Sequence, residues 1–416
     1  MNKDYLEKYS QIIVKTGLNI QINQTLVINS PIECADFTRI ISEIAYKEGA
    51  REVIINWRDE LSSKIKYLHG KDEIFDEVHS WQKDLFVSCA KKGAAFLSIS
   101  ASDPELMKDV NPERIMRANK ANSAALSEYR ERLMADKNVW CVASVPTKAW
   151  AKKVFKNVSE DEAVEKLWEA IFKAVRADES NPVEAWNNHQ NNLKKSMDFL
   201  NEHNFKYIVY KNSIGIVYKN SIGTDLKIEL PENHLWLGGS SFTPEGTEFM
   251  ANIPTEEVFT LPYKFGVNGK VTSSKPLNYN GNLIENFTLT FKDGKIVDFT
   301  CEKGYDTLKN LIATDEGTHY LGEVALVPFD SPISNSNILF YNTLFDENAS
   351  CHLAIGEAYP TCLKNSENMS KEDLKNEGVN DSFEHVDFMI GTKDLSITGI
   401  TKEGKKIPIF VNGNFA

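Results

Sequence analysis

Thr25-Leu26-Val27-Ile28-Asn29, then Phe37, Ile40, Ile41, Ile44 and Ala45, then Gly49, then Glu52-Val53-Ile54-Ile55-Asn56: this succession decides the fold class. The first and last runs are short and apolar, as strands buried on both faces require. The residues between them recur at helical spacing, and Gly49 stops the helix. Ala95-Phe96-Leu97-Ser98-Ile99 and Val139-Trp140-Cys141-Val142-Ala143 read as two further strands. Helices fill the gaps, including a long one predicted over about residues 113–135. Upstream, Leu6, Ile12, Ile13 and Val14 lie in an amphipathic segment ending near Gly17. This β-α-β rhythm predicts a mostly parallel sheet covered by helices. No Gly-rich loop follows any of these strands, so a nucleotide or dinucleotide site has no support.

From about 160 to 203 the chain reads as helical, with Trp168, Ile171, Val175, Trp186, Leu193 and Phe199 as apolar points. Beyond 205, short β-type runs and Gly- or Asn-containing turns take over. Phe287-Thr288-Leu289-Thr290-Phe291 and Ile296-Val297-Asp298-Phe299 flank Asp293-Gly294, a hairpin signature. Met389-Ile390-Gly391 and Ile407-Pro408-Ile409-Phe410-Val411 read as late strands, the second an edge strand because of its proline. The expected fold class is therefore α/β. An N-terminal α/β domain with a mostly parallel sheet (1–190) is followed by a β-rich α+β domain (191–416), with the boundary between 185 and 205. Residues 208–215 and 216–223 are identical octapeptides, Ile-Val-Tyr-Lys-Asn-Ser-Ile-Gly. A single repeat of that period is no solenoid. An even shift preserves side-chain alternation, so one added or bulged strand-turn is expected there.

Composition limits the function classes. At about 150 residues per domain, 416 residues make two or three domains. The net charge of −12 argues against nucleic acid, which needs excess Lys and Arg. With 42% hydrophobic and 25% charged residues the chain is ordinary globular material, not disordered. No run approaches the ~18 apolar residues of a membrane span, and Met1-Asn2-Lys3-Asp4-Tyr5-Leu6-Glu7 does not read as a secretory signal. The cysteines at 34, 89, 141, 301, 351 and 362 form no CxxC pair. Reduced structural thiols in a cytoplasmic protein are expected, and a thiolate-bound zinc is not.

Four stretches hold residues that could carry chemistry. In His385-Val386-Asp387, an extended backbone puts the imidazole and the carboxylate on one face, as a metal site needs, or as a merely polar strand face has. Residues 345–360 gather Asp346, Glu347, His352, Glu357 and Tyr359 in a turn-rich stretch. Glu323 sits inside the apolar run Tyr320-Leu321-Gly322-Glu323-Val324-Ala325-Leu326-Val327, where a carboxylate needs a cation or a Lys or Arg beside it. Glu256 and Glu257, within Asn252-Ile253-Pro254-Thr255-Glu256-Glu257-Val258-Phe259-Thr260, face opposite sides if extended, so only one can enter a shared site.

These stretches together resemble the metalloaminopeptidases of peptidase family M29, the type that includes aminopeptidases T, S and PepS. The resemblance covers essentially the whole chain and is strongest from Trp236 onward. It implies a two-metal aminopeptidase. Glu257, Glu323, His352, His385 and Asp387 are implied as metal ligands, with Glu323 bridging. Glu347 is implied as a further ligand or neighbouring carboxylate, and Tyr359 as the catalytic tyrosine. Glu256 or Glu347 is left to carry a proton to the leaving amine. A homodimer acting on short peptides is also implied.

Charge is compatible with that reading. Glu257, Glu323, Glu347 and Asp387 sum to −4, which two divalent cations balance. Oxygen and imidazole ligands without thiolate suit zinc, cobalt or manganese. One alternative is another two-metal hydrolase such as a phosphoesterase, though 252–260, 345–360 and 385–391 contain no Arg or Lys to clamp a phosphate. Another is a non-catalytic protein that keeps the fold.

Overall fold

Thr25–Pro31 (β1) and Glu52–Arg58 (β2) pair in parallel, Leu26 opposite Val53, with the helix Ala35–Lys47 joining them in sequence. Ala95–Ile99 (β3) pairs in parallel with β1, and Trp140–Ala143 (β4) with β3, giving the order β2-β1-β3-β4. Six of the seven residues of β1 are buried, as expected of a strand with both faces covered. These strands are in a computed structural model that describes residues 2–212 and 223–416. The helix expected over 113–135 is two, Pro112–Ala125 and Ser127–Met134. Nothing in the local sequence explains the break at Leu126.

The chain forms two compact units. One comprises residues up to Asn192 with Gly239–Thr255 and Ile338–Phe345; the other comprises Leu193–Gly238, Glu256–Asn337 and Asp346–Ala416. The first holds the parallel sheet. The second holds two antiparallel sheets. Among the described residues the larger runs Leu277–Tyr279, Asn282–Lys292, Val267–Thr272, Asp225–Glu229, Tyr207–Lys211, Ser396–Ile400, Lys406–Val411 and Asn414–Phe415, and Lys295–Lys303 also pairs with Asn282–Lys292.

The Asp293-Gly294 hairpin forms, with φ of 49° and 82° at its two turn residues. Positive φ at both positions is what a two-residue hairpin turn demands, and Asp-Gly tolerates it. Lys406–Val411 is a strand; on its outer side Asn414–Phe415 pairs with Phe410 and Val411, and the Ala416 N–H reaches the Ile409 carbonyl, one residue short of Pro408. Pro408 therefore stands where the sheet edge is open, and its missing N–H costs no ladder bond. The first octapeptide copy contributes Ile208–Lys211 to the strand paired with Asp225–Glu229. The strand-turn expected from the second copy lies outside the described residues. No helix of the described residues is long and apolar enough to cross a membrane, and all six cysteines are free.

Candidate metal centre

The smaller sheet of the second unit has the order β9-β8-β7-β6-β5, where β5 is Leu237–Gly238, β6 is Val258–Thr260, β7 is Leu321–Leu326, β8 is His352–Gly356 and β9 is His385–Met389. All its pairings are antiparallel. One face carries Val258, Val324, Leu326, Leu353, Ile355, Val386 and Phe388, all packed into the main core of this unit. That burial fixes which way each strand faces, because a one-residue slip would expose the whole set.

The opposite face carries the chemistry. Residues directly opposite across antiparallel strands share a face. Glu323 is opposite Ala354, and Ala354 is opposite Asp387; His352 is opposite Ala325 and Met389; His385 is opposite Gly356. Two imidazoles and two carboxylates thus project together, and the residues among them, Ala325, Ala354 and Gly356, are small. Phe259, opposite Ala325, puts the odd-numbered residues of its strand on this face, and Glu257 follows the same alternation.

Glu323 would not face this way in a regular strand. Leu321 is opposite Ile355 but Glu323 is opposite Ala354, so the ladder slips by one at Gly322. The bulge leaves Leu321 in the core and turns Glu323 to the other face. A Cβ on Gly322 would meet the carbonyl oxygens of Glu357 and Gly356 at 2.2 and 2.4 Å, so only glycine fits.

His352 Nε2 lies 3.0 Å from Glu257 Oε2 and 3.4 Å from Glu323 Oε1. His385 Nε2 lies 3.5 Å from Glu323 Oε2 and 3.4 Å from Asp387 Oδ1. Two groups with metal-ligand spacing result, Glu257–Glu323–His352 and Glu323–His385–Asp387, sharing Glu323. Each imidazole is oriented from behind. His352 Nδ1 donates to the carbonyls of Glu347 (3.0 Å) and Ser350 (3.1 Å), and His385 Nδ1 to that of Glu357 (2.7 Å). A carbonyl only accepts, so Nδ1 carries the hydrogen and a neutral ring points its Nε2 lone pair at carboxylate oxygens.

Lone pairs facing carboxylates at these distances repel unless a positive charge stands between them. Protons supply it in the ion-free chain. Burial alone would lower both imidazoles, but Glu257 and Glu323 hold His352 well above the usual range, and Asp387 and Glu323 lift His385 to about 10. Burial pushes Glu323 up to about 7, and it pushes Glu347 well above its usual range with Asp387 and Glu257 adding to the effect. Asp387 stays low: burial would raise it, and His385 outweighs burial. The buried Oε2 of Glu257 and Oδ1 of Asp387 have no well-aligned hydrogen-bond partner although an imidazole is close to each. Cations fit this donor set: they satisfy those oxygens and both imidazoles without protonating either.

The remaining residues singled out in the sequence stand around this cluster. Glu347, on the turn Glu347–Ala349, is buried, and its carboxylate belongs to neither three-residue group. Tyr359 is half-buried, its ring 5.0 Å from that of His385 and 5.7 Å from that of Phe259. Burial, then the charges of Glu323, Asp387, Glu257 and Glu347, hold its phenol protonated far above the usual range. Of the adjacent pair, Glu257 reaches the shared face; Glu256 is buried and gives no atom to either group. Reading the sequence missed the carbonyls of Glu347, Ser350 and Glu357, which no residue type announces. It also gave no role to Asn348, although that residue lies inside a quoted motif.

The model of the family described as thermophilic metalloprotease (M29) matches residues 2–415. Aminopeptidase 2 of Geobacillus stearothermophilus is 51% identical over 99% of this chain and 97% of its own length. Aminopeptidase AmpS of Bacillus subtilis is 52% identical over 99% and 98%. Wild-type AmpT from Thermus thermophilus, a solved structure, superposes with a TM-score of 0.89 at 36% identity, covering 100% of this chain and 99% of that one. A 2,5-dihydroxypyridine dioxygenase from Pseudomonas putida shares the fold alone, at a TM-score of 0.52 and 9% identity. Fold by itself therefore does not set the chemistry here.

Proposed function

The chain belongs to the M29 family of thermophilic metalloproteases, and from that membership we propose that it is an aminopeptidase releasing N-terminal residues from short peptides. The observation that carries this reading is the convergence of Glu257, Glu323, His352, His385 and Asp387, with Glu323 common to both three-residue groups. Glu257, Glu323 and His352 would hold one divalent ion, and Glu323, His385 and Asp387 a second. Glu347 supplies a further carboxylate beside them. Zinc, cobalt and manganese all suit these ligands. When bound, such a pair of ions acidifies a shared water toward neutral pH and polarises the scissile carbonyl.

The other steps belong to side chains. Tyr359, kept protonated, donates a hydrogen bond to the oxyanion of the tetrahedral intermediate; losing one such donor typically costs about 3 kcal/mol of barrier. A carboxylate outside the two groups, Glu256 or Glu347, carries a proton to the departing amine. The catalytic domain expected over 191–416 is, in this reading, the second unit, whose segments within that span carry every candidate ligand. The enzyme works as a homodimer in the cytoplasm, in keeping with six free cysteines and the family resemblance.

The deciding experiment strips the protein with EDTA, restores cobalt or zinc, and assays leucyl-p-nitroanilide against p-nitrophenyl phosphate. Metal-dependent release of nitroaniline alone is expected. Phosphate hydrolysis would favour a phosphoesterase, and no hydrolysis with any metal would leave a non-catalytic protein.

A further inference from the structure

We infer that Asn348 is a positioning residue: its amide ties the Glu256–Glu257 segment to Glu347 and thereby sets where these carboxylates stand relative to His352. This inference rests on the metal-dependent reading above. Glu256 and Glu257 precede β6, whose pairing with β7 begins only at Val258 opposite Leu326. The sheet ladder therefore does not hold them. Asn348 anchors the first of them, its Oδ1 accepting from the Glu256 N–H at 2.7 Å. Its Nδ2 donates to Glu347 Oε1 at 3.3 Å. The backbone N–H can only donate, so it fixes Oδ1 on its own side and leaves Nδ2, which can only donate, facing the Glu347 oxygen.

The turn that carries Asn348 is tied into the same site. The Glu347 carbonyl one residue earlier receives His352 Nδ1, and the Asn348 carbonyl accepts from Ser331 Oγ at 3.5 Å. Asn348 is fully buried, so a lost partner is not replaced by water. Of the side chains of this size, only a neutral amide both accepts from the backbone and donates to a carboxylate without adding charge. Aspartate keeps the first bond and turns the second into repulsion. Alanine loses both.

The test uses Asn348→Asp, which keeps the backbone anchor, alone and with Glu347→Gln. Metal affinity is measured by calorimetric titration of cobalt into the EDTA-stripped protein. Leucyl-p-nitroanilide kinetics and the melting temperature of the stripped protein are recorded beside it. Asn348→Asp is expected to fold, to weaken metal binding and kcat by roughly 10–100-fold, and to leave KM within about twofold, the size seen when an outer partner of a metal ligand is lost. In the Glu347→Gln background the same change should cost little further, since the charge that repels the new carboxylate has already gone. If Asn348→Asp does not fold, Asn348→Ser takes its place in every measurement. Unchanged metal affinity in a folded variant overturns the proposal, and so does an equal loss in both backgrounds. A wild-type protein that binds no cobalt overturns instead the functional reading beneath it.

Discussion

Glu323 holds Oε1 3.4 Å from His352 Nε2 and turns its other oxygen to a second imidazole, so one carboxylate serves both halves of the site. The remaining ligand candidates each serve one. Glu323→Gln should therefore cost more than Glu257→Gln or Asp387→Asn. The expected result is a fall from about two ions per chain to below one, with kcat down by roughly 10²-fold or more, beyond the usual cost of losing an outer-shell partner. Elemental analysis of dialysed protein decides it. Near-normal metal content in Glu323→Gln would remove this residue from the bridging position.

Tyr359 is the test of the oxyanion step. Its phenol stays protonated because burial and four carboxylates oppose ionisation. Tyr359→Phe removes the hydroxyl and keeps the ring packing against Phe259 and His385. Metal content should stay at the wild-type value while kcat falls by about 10²-fold or more. Single-turnover measurement of the anilide separates this from slower product release. Wild-type turnover in that variant would exclude the role.

How much of this was legible in the sequence follows from what each feature depends on. The parallel sheet was, because runs such as Leu26–Ile28 are buried on both faces and carry no polar alternation to mislead. His385 and Asp387 were placed on one face by the strand period alone. Of Glu256 and Glu257, the alternation of an extended strand lets only one enter a shared site, and the choice of Glu257 came from the resemblance. Glu323 shows where the period fails. Counting from Leu321 puts it in the core, and only the bulge at Gly322, set by carbonyls of residues 356 and 357, turns it out. The carbonyls that orient the imidazoles were invisible for a related reason: backbone groups come from the fold, not from residue type. The helix break at Leu126 has no sequence signal at all.

That bulge can itself be tested. Gly322→Ala places a methyl 2.2 Å from the Glu357 carbonyl oxygen, which also receives His385 Nδ1. Either the strand moves, taking Glu323 with it, or the carbonyl moves, releasing His385. Overpacking of this kind typically costs about 1–3 kcal/mol. Urea unfolding of the EDTA-stripped variant should show a loss in that range, and cobalt titration a weaker affinity. Wild-type affinity would mean that Gly322 shapes the strand without setting the ligands.

His234 gives a pH prediction away from the metal centre. It is buried, its Nδ1 donates to the Pro231 carbonyl at 2.7 Å, and its Nε2 has no hydrogen-bond partner. A second proton would have to sit on that nitrogen. Burial therefore lowers the imidazole to about 4, and Lys364 and Lys402 add to the shift. Above the ordinary value of about 6.5 both folded and unfolded states are neutral here, and the group contributes no pH dependence. Between 6.5 and 4 the unfolded chain takes up a proton that the folded chain refuses, so stability falls as pH falls, by on the order of 3 kcal/mol in all. His234→Phe removes the titration and the bond to Pro231. The variant should be less stable by about 1 kcal/mol at pH 8, and the gap should close or reverse by pH 4.5. Denaturant titrations of both proteins across that range, each stripped with EDTA so that metal release does not differ between them, give the comparison. A gap that stays constant from pH 8 to 4.5 would show that His234 is not held neutral by its surroundings.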